Sequence, residues 1–277
     1  MSGFDADWLA LREPVDHASR NAGLAARVRE HFAGLPSLAV VDLGCGTGSN
    51  LRALAPSLPA RQHWHLIDGD GALLDAARHQ LADWADRAQA TAGGLELHKD
   101  ELRIDVRFEG ADLTRRDLDF GGEGAGLVTA AALFDLVSRD WLERLVAALA
   151  PRRVPLYSVL NYDGIARWQP ADALDARVVA AFNRHQRGDK GFGPALGPEA
   201  GEALAGILTR HGYSTFSGDS PWELTQRDSG LIARLTEGFA RAAGEIEPDA
   251  REVFADWAES RAGARTTIGH RDTFAVA

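Results

Sequence analysis

Residues 40–50, VVDLGCGTGSN, run from an apolar stretch into an acid and then set three glycines within five positions. Residues 38–41 are continuously apolar, as in a strand buried on both faces, and from Asn50 apolar residues return at helical spacing. Gly44, Gly46 and Gly48 remove side chains where the backbone must turn sharply and where a ligand comes against it. Strand, glycine turn and helix in immediate succession form a unit of an open parallel α/β sheet, and the turn is where such sheets cradle a cofactor. Dinucleotide sites space their glycines G-x-G-x-x-G. Here the third falls at Gly48 rather than at Ser49, which argues against a nicotinamide cofactor.

The pattern Asp42-x-Gly44-x-Gly46-x-Gly48 resembles the first motif of the class I S-adenosylmethionine-dependent methyltransferases. The resemblance implies an α/β fold built on a doubly wound, mostly parallel, seven-stranded sheet of Rossmann-like form, with S-adenosyl-L-methionine as cofactor. It also implies that the glycine turn takes the methionine part of the cofactor and that Asp42 helps to orient it. Residues 61–70, RQHWHLIDGD, are a short apolar run ending at Asp68, twenty positions past Gly48. An acid at the end of the second strand of such a sheet accepts hydrogen bonds from both ribose hydroxyls. Asp70 reads instead as the N-cap of a helix starting near Ala72. A third strand, residues 102–108, alternates apolar and charged residues, the sign of one wetter face near a sheet edge. Beyond it, Asp112 and Leu113 match the family's acid and apolar pair at adenine. There the carboxylate accepts from the exocyclic amine and the next backbone N–H serves a ring nitrogen.

A fourth strand over residues 126–131 and a fifth over 154–160 flank a helix capped by Ser138. Ligands collect beyond the carboxyl ends of such strands, so Phe134, Asp135, Asn161 and Tyr162 should look into one crevice that holds the methyl acceptor. A helix from Pro198 to a stop at Gly212, a sixth strand within residues 213–224 and a last strand over 264–276 complete the sheet. The methyltransferase domain therefore takes residues 37–277, behind a helical segment of residues 1–36. In family members such a segment often lies over the cofactor. Arg12 or Arg20 could pair there with the cofactor's carboxylate, or both could be solvated helix charges.

Residues 163–197 read as an insertion that closes over the acceptor. Leu174, Val178, Ala181, Phe182 and His185 share one helical face, and the following loop, QRGDKGFGP, has the composition of a hinged lid. His185 and Phe192 are expected to face the acceptor; the alternative for His185 is a core histidine. Methyl transfer from a sulfonium requires alignment first and a base only if the acceptor carries a proton. The candidate catalytic residues are His185, Asp135 and Tyr162, and Tyr157 can be drawn in the same role. Asp135, Asn161 and Asp163 could offer oxygens to magnesium, but their spacing is loose and no metal is expected. His270-Arg271-Asp272 invites comparison with a kinase catalytic loop, yet its companion motifs are missing.

Thirty basic against forty acidic residues give a net charge of −10, a poor footprint for nucleic acid. The single cysteine, Cys45, excludes an intrachain disulfide and a cysteine zinc cluster. No run of roughly 18 apolar residues and no leader pattern is present, so the expectation is a cytoplasmic enzyme with a small-molecule acceptor and no membrane partner. The sequence leaves the oligomeric state open. Two competing readings are a nicotinamide-dependent oxidoreductase and a catalytically silent subunit that binds the cofactor.

Overall fold

The structure, a computed structural model, describes residues 5–118, 120 and 124–277. The chain starts with α1 (Ala6–Ser19) and α2 (Ala22–Phe32), then β1 (Leu38–Leu43), α3 (Ser49–Leu54), β2 (Arg61–Asp68) and α4 (Gly71–Trp84). A hairpin of β3 (Arg87–Thr91) and β4 (Gly94–Lys99) leads into β5 (Leu102–Gly110). Next come β6 (Leu127–Ala131), α5 (Arg139–Leu149), β7 (Leu156–Gln169), α6 (Asp175–Gln186) and α7 (Ala200–Arg210). The chain closes with β8 (Ser214–Asp219), β9 (Trp222–Leu224), α8 (Ser229–Ile246), α9 (Arg251–Arg261) and β10 (Arg265–Val276).

One sheet joins these strands in the order β3-β4-β5-β2-β1-β6-β7-β10-β8, with β9 paired to β10. The centre, β5-β2-β1-β6-β7, is parallel throughout, while β10 runs antiparallel to β7 and β8. Helices cover both faces, which is why β1 and β2 carry apolar runs rather than strict alternation. On one face Trp141, Leu142, Leu145 and Val146 of α5 and Leu204, Ile207 and Leu208 of α7 pack on Val41, Val128 and Leu156. On the other, Leu24, Val28 and Phe32 of α2, with Leu51 and Leu81, pack on Val40, Leu66, Tyr157 and Phe274. Asp70 caps α4 by accepting from the Ala72 and Leu73 N–H groups, and Ser138 caps α5 through the Trp141 N–H.

Three expectations need correction. The sheet has ten strands among the described residues rather than seven, because the β3–β4 hairpin and the short β9 are added. The hairpin extends the sheet past β5, so β5 is an interior strand; its alternation reflects an open face, where Arg103, Asp105 and Arg107 stay exposed while Ile104 and Val106 are buried. The proposed insertion also starts too early. Residues 163–169 continue β7, whose far half pairs with β10 from Arg265 to His270. This ribbon projects past the carboxyl edge of the parallel strands. Around it a third core forms from Trp168, Trp222 and Ile268 with Val178 of α6, Leu231, Ile232 and Phe239 of α8, and Phe254 and Trp257 of α9.

Candidate functional site

Gly44, Gly46 and Gly48 all adopt left-handed backbone, φ +64°, +53° and +78°. A Cβ at these positions would also press on Leu133, Leu9 and Leu81, each within 3.2 Å, so the turn excludes side chains twice over. The Asp68 carboxylate at the end of β2 fixes its shape, accepting from the Gly46 N–H at 2.8 Å and from the Asp70 N–H at 2.9 Å. Burial pushes the Asp68 carboxyl up against these bonds, which pull it down. The register of β2 and β5 sets Asp68 opposite Gly110, so Asp112 emerges just beyond, at the same edge of the sheet. Asp112 is exposed and accepts from the Thr114 N–H and hydroxyl, bonds that lower its carboxyl. Leu113 is buried, and its carbonyl accepts from the Trp141 indole.

Asp42 lies beneath the turn and is wholly buried in the ligand-free protein. Its Oδ1 accepts from Asn50 Nδ2 at 2.7 Å, and the same nitrogen reaches Thr129 Oγ1, which donates to the Tyr157 carbonyl. Asp42 Oδ2, Thr47 Oγ1, Asn50 Oδ1, Tyr157 Oη and the Nε and Nη1 of Arg20 are buried without a hydrogen-bond partner. Arg20 acts electrostatically on Asp42 and on the Tyr157 hydroxyl, so these groups face one region. Buried polar atoms are normally paired, and so many orphans beside one turn mark a place shaped for a polar ligand. Arg20 is not a solvated charge, whereas Arg12 is spent on Asp16 through two bonds and stacks on Trp222. Thr47, Asn50 and the pinning role of Asp272 gave no sequence signal. Asp272, buried in β10, accepts from the Asn21 and Leu160 N–H groups and so fixes the start of α2 beside Arg20.

α1 lies against the turn. Glu13 pairs with Arg52, which donates to the Thr47 carbonyl, and His17 bonds Ser49. Residues 1–4 of the expected N-terminal cover lie outside the described residues.

Beyond the carboxyl end of β6 and beside the middle of β7 opens a cavity of about 580 Å³, walled by α1, α6, α8 and the β7–β10 ribbon. Asp135, Tyr162 and His185 all line it, together with Trp8, Phe182, Trp222, Phe239 and His270. Asp135 is buried, and burial pushes its carboxyl up to about 6. Tyr162 donates its hydroxyl to Asn183 at 2.9 Å, and burial raises that hydroxyl above its ordinary range. His185 sits on the wall between Glu245 (2.9 Å) and Lys190 (3.1 Å); at 26% side-chain exposure it is no core histidine. Phe192 is elsewhere. It packs edge-on against Trp141, because the loop is tied down by Asp189 at the Gly191 and Gly193 N–H groups and by the Ser138–Ala195 bridge. Asn161 and Asp163 are engaged by the Phe134 and Ile165 N–H groups. Among the described residues no three His, Cys, Asp or Glu side chains are grouped to hold a metal ion. None of the described helices is long and apolar enough to cross a membrane.

No family model and no curated protein matches this chain. Solved structures do match along almost its whole length. The cyclopropane synthase MmaA2 of Mycobacterium tuberculosis superposes with a TM-score of 0.51 at 13% identity, covering 98% of this chain and 94% of that one. A cyclopropane-fatty-acyl-phospholipid synthase-like protein of Lactobacillus casei gives 0.53 at 16%, covering 98% and 95%. The fold is that of the class I S-adenosylmethionine-dependent methyltransferases. The YcgJ protein of Bacillus subtilis also matches, with a TM-score of 0.50 at 13% identity, covering 92% of this chain and 98% of that one. At these identities the likeness is one of fold alone.

The buried Asp42 gives a testable pH effect. Burial raises its folded-state carboxyl to about 7, from an ordinary value near 3.8. Its contribution to the stability of the ligand-free protein is therefore complete below about pH 4 and is lost as pH rises through 7. Asp42→Asn should gain stability relative to wild type between pH 5 and pH 8, by about 2–3 kcal/mol. Urea unfolding of both proteins at the two pH values measures this, and parallel pH dependences would contradict it.

Proposed function

We propose that the chain is an S-adenosylmethionine-dependent methyltransferase that acts on a small molecule. The observation that carries the reading is the set of unpartnered buried polar atoms around the glycine turn. The methionine end of the cofactor is a zwitterion, and the turn offers it a matching pair of charges. Arg20 has unpartnered guanidinium N–H groups for a carboxylate, and Asp42 has a carboxylate oxygen for an ammonium group. Gly44, Gly46 and Gly48 leave room for the chain between those ends. Asp68 would accept from the ribose hydroxyls, and Asp112 and the Leu113 backbone would serve adenine. When bound, S-adenosylmethionine supplies a methyl group already activated on a sulfonium.

The acceptor belongs in the 580 Å³ cavity, whose volume suits a small molecule. Tyr162, with Phe182 and Phe239, orients it by packing, and Asp135 is the polar group available to its reacting atom. His185, held by Glu245 and Lys190, takes the role of a closing residue on the cavity wall, with residues 170–197 as the cover. The chain's negative charge disfavours nucleic acid as the acceptor.

Calorimetry with S-adenosylhomocysteine should give a micromolar dissociation constant, about −8 kcal/mol, with no heat from NAD. Incubation with methyl-labelled S-adenosylmethionine and a metabolite extract should move label into the low-molecular-weight fraction. Absence of S-adenosylhomocysteine binding would overturn the reading, and binding without transfer to any extract would turn it into that of a silent subunit.

A further inference from the structure

Asp135 is 8% exposed, lines the cavity, and has a fully buried Oδ1 with no hydrogen-bond partner. No cation on the wall forms an ion pair with Asp135: Arg241 lines the cavity without reaching it, and Arg12 acts on it only at a distance. Arg12 is bound twice by Asp16 and stacked on Trp222, Arg234 pairs with Asp5, and Lys190 leans on His185. His270, on the same wall, is buried with an unpartnered Nδ1, and burial lowers its pKa to about 3, so it stays neutral and does not balance a carboxylate. Five aromatic side chains also line the wall: Trp8, Tyr162, Phe182, Trp222 and Phe239. A buried carboxylate without a partner calls for a ligand that brings positive charge and N–H donors, and aromatic faces favour a cation or an apolar body beside it. An anionic acceptor would meet Asp135 as a like charge. A neutral alcohol would offer one donor and leave the charge uncompensated.

Resting on the methyltransferase reading, we infer that the acceptor is a primary or secondary amine on an apolar or aromatic body, with its nitrogen held by Asp135. The bound ammonium gives one proton to the Asp135 carboxylate. The freed nitrogen lone pair then forms the N–C bond to the methyl carbon as the C–S bond breaks and its electron pair returns to sulfur. The products are the N-methylated ammonium and S-adenosylhomocysteine, and the proton on Asp135 leaves to solvent on product release.

The probes are 2-phenylethylamine, the neutral 2-phenylethanol and the anionic phenylacetate, titrated calorimetrically into the protein with and without S-adenosylhomocysteine. The amine should bind at least tenfold more tightly than either analogue. Asp135→Asn, which keeps shape and removes charge, should abolish that preference while leaving the affinity for S-adenosylhomocysteine unchanged and the melting temperature equal to or above that of the wild type. In the wild type the amine preference should fade as pH drops below about 6, where Asp135 takes up its proton. The charged and titratable groups that line the cavity with Asp135 are Asp5 at the start of α1, Arg12 on α1, Tyr162 on β7, His270 on β10, His185 on α6, Lys190 in the following loop, and Arg234, Glu237, Arg241 and Glu245 on α8. As a control for the wall imidazole, the same pH series on His185→Gln must reproduce the wild-type curve. Equal binding of the three probes, a preference that survives in Asp135→Asn, or loss of S-adenosylhomocysteine binding in that variant would each overturn the inference. Failure of the wild type to bind S-adenosylhomocysteine, with the amine preference intact, would strike the methyltransferase reading alone.

Discussion

Arg20→Ala should weaken S-adenosylhomocysteine binding about 100-fold, close to 3 kcal/mol, and at the same time leave the ligand-free protein as stable as the wild type or more so. The first effect follows from losing a charge-assisted pair with a carboxylate in a buried setting. The second follows from the orphaned Nε and Nη1, which cost the ligand-free fold desolvation without a returning bond. A structural arginine would behave in the opposite way, its removal destabilising the fold. Calorimetry and thermal melting on the same preparation separate the two cases. An unchanged affinity, or a melting temperature that falls in step with affinity, would rule out Arg20 as the carboxylate partner.

Asp68→Ala should cost roughly 2–3 kcal/mol of S-adenosylhomocysteine affinity and, unlike Arg20→Ala, about 1 kcal/mol of stability as well. The carboxylate has two tasks. It holds the Gly46 and Asp70 N–H groups in the ligand-free protein and would accept from the ribose hydroxyls in the complex. Removing it loosens the glycine turn and deletes the sugar contact together, so affinity falls further than the loss of either bond alone. Asp68→Asn keeps one acceptor oxygen and should fall between wild type and alanine. If all three proteins bind S-adenosylhomocysteine equally, the ribose does not lie at the end of β2 and the whole cofactor placement fails with it.

Much of the glycine turn and its flanks was legible because the signals are local. Gly44, Gly46 and Gly48 are required by left-handed backbone within five residues of one another, and Asp70 and Ser138 cap helices that begin one residue later. Such constraints are written into consecutive positions. The β3–β4 hairpin was not legible for the opposite reason. Every residue of β3 is exposed, so no apolar alternation marks it, and its strand state comes from pairing with β4. The length of β7 was hidden in the same way. An insertion is expected from Asp163, yet the chain runs on as strand because β10, some hundred residues later, supplies the ladder. Phe192 was placed on the acceptor by composition alone, and Trp141 captured it instead.

The sequence by itself determined the parallel α/β class, the glycine turn and the acids that follow successive strands, because each depends on backbone geometry or burial within a few residues. Tertiary structure decided which of those groups carry an unmet demand. Arg12 and Arg20 belong to one helical segment and differ by eight positions; only packing gives Arg12 a carboxylate and two bonds while leaving the Nε and Nη1 of the half-buried Arg20 without a partner. Asp135 and His270 lie far apart in the chain, and the β7–β10 ribbon with α6 and α8 brings them onto one cavity wall. Whether a polar group is solvated, paired or held open for a ligand depends on everything around it, so it is settled by the fold rather than by the residue's neighbours in sequence.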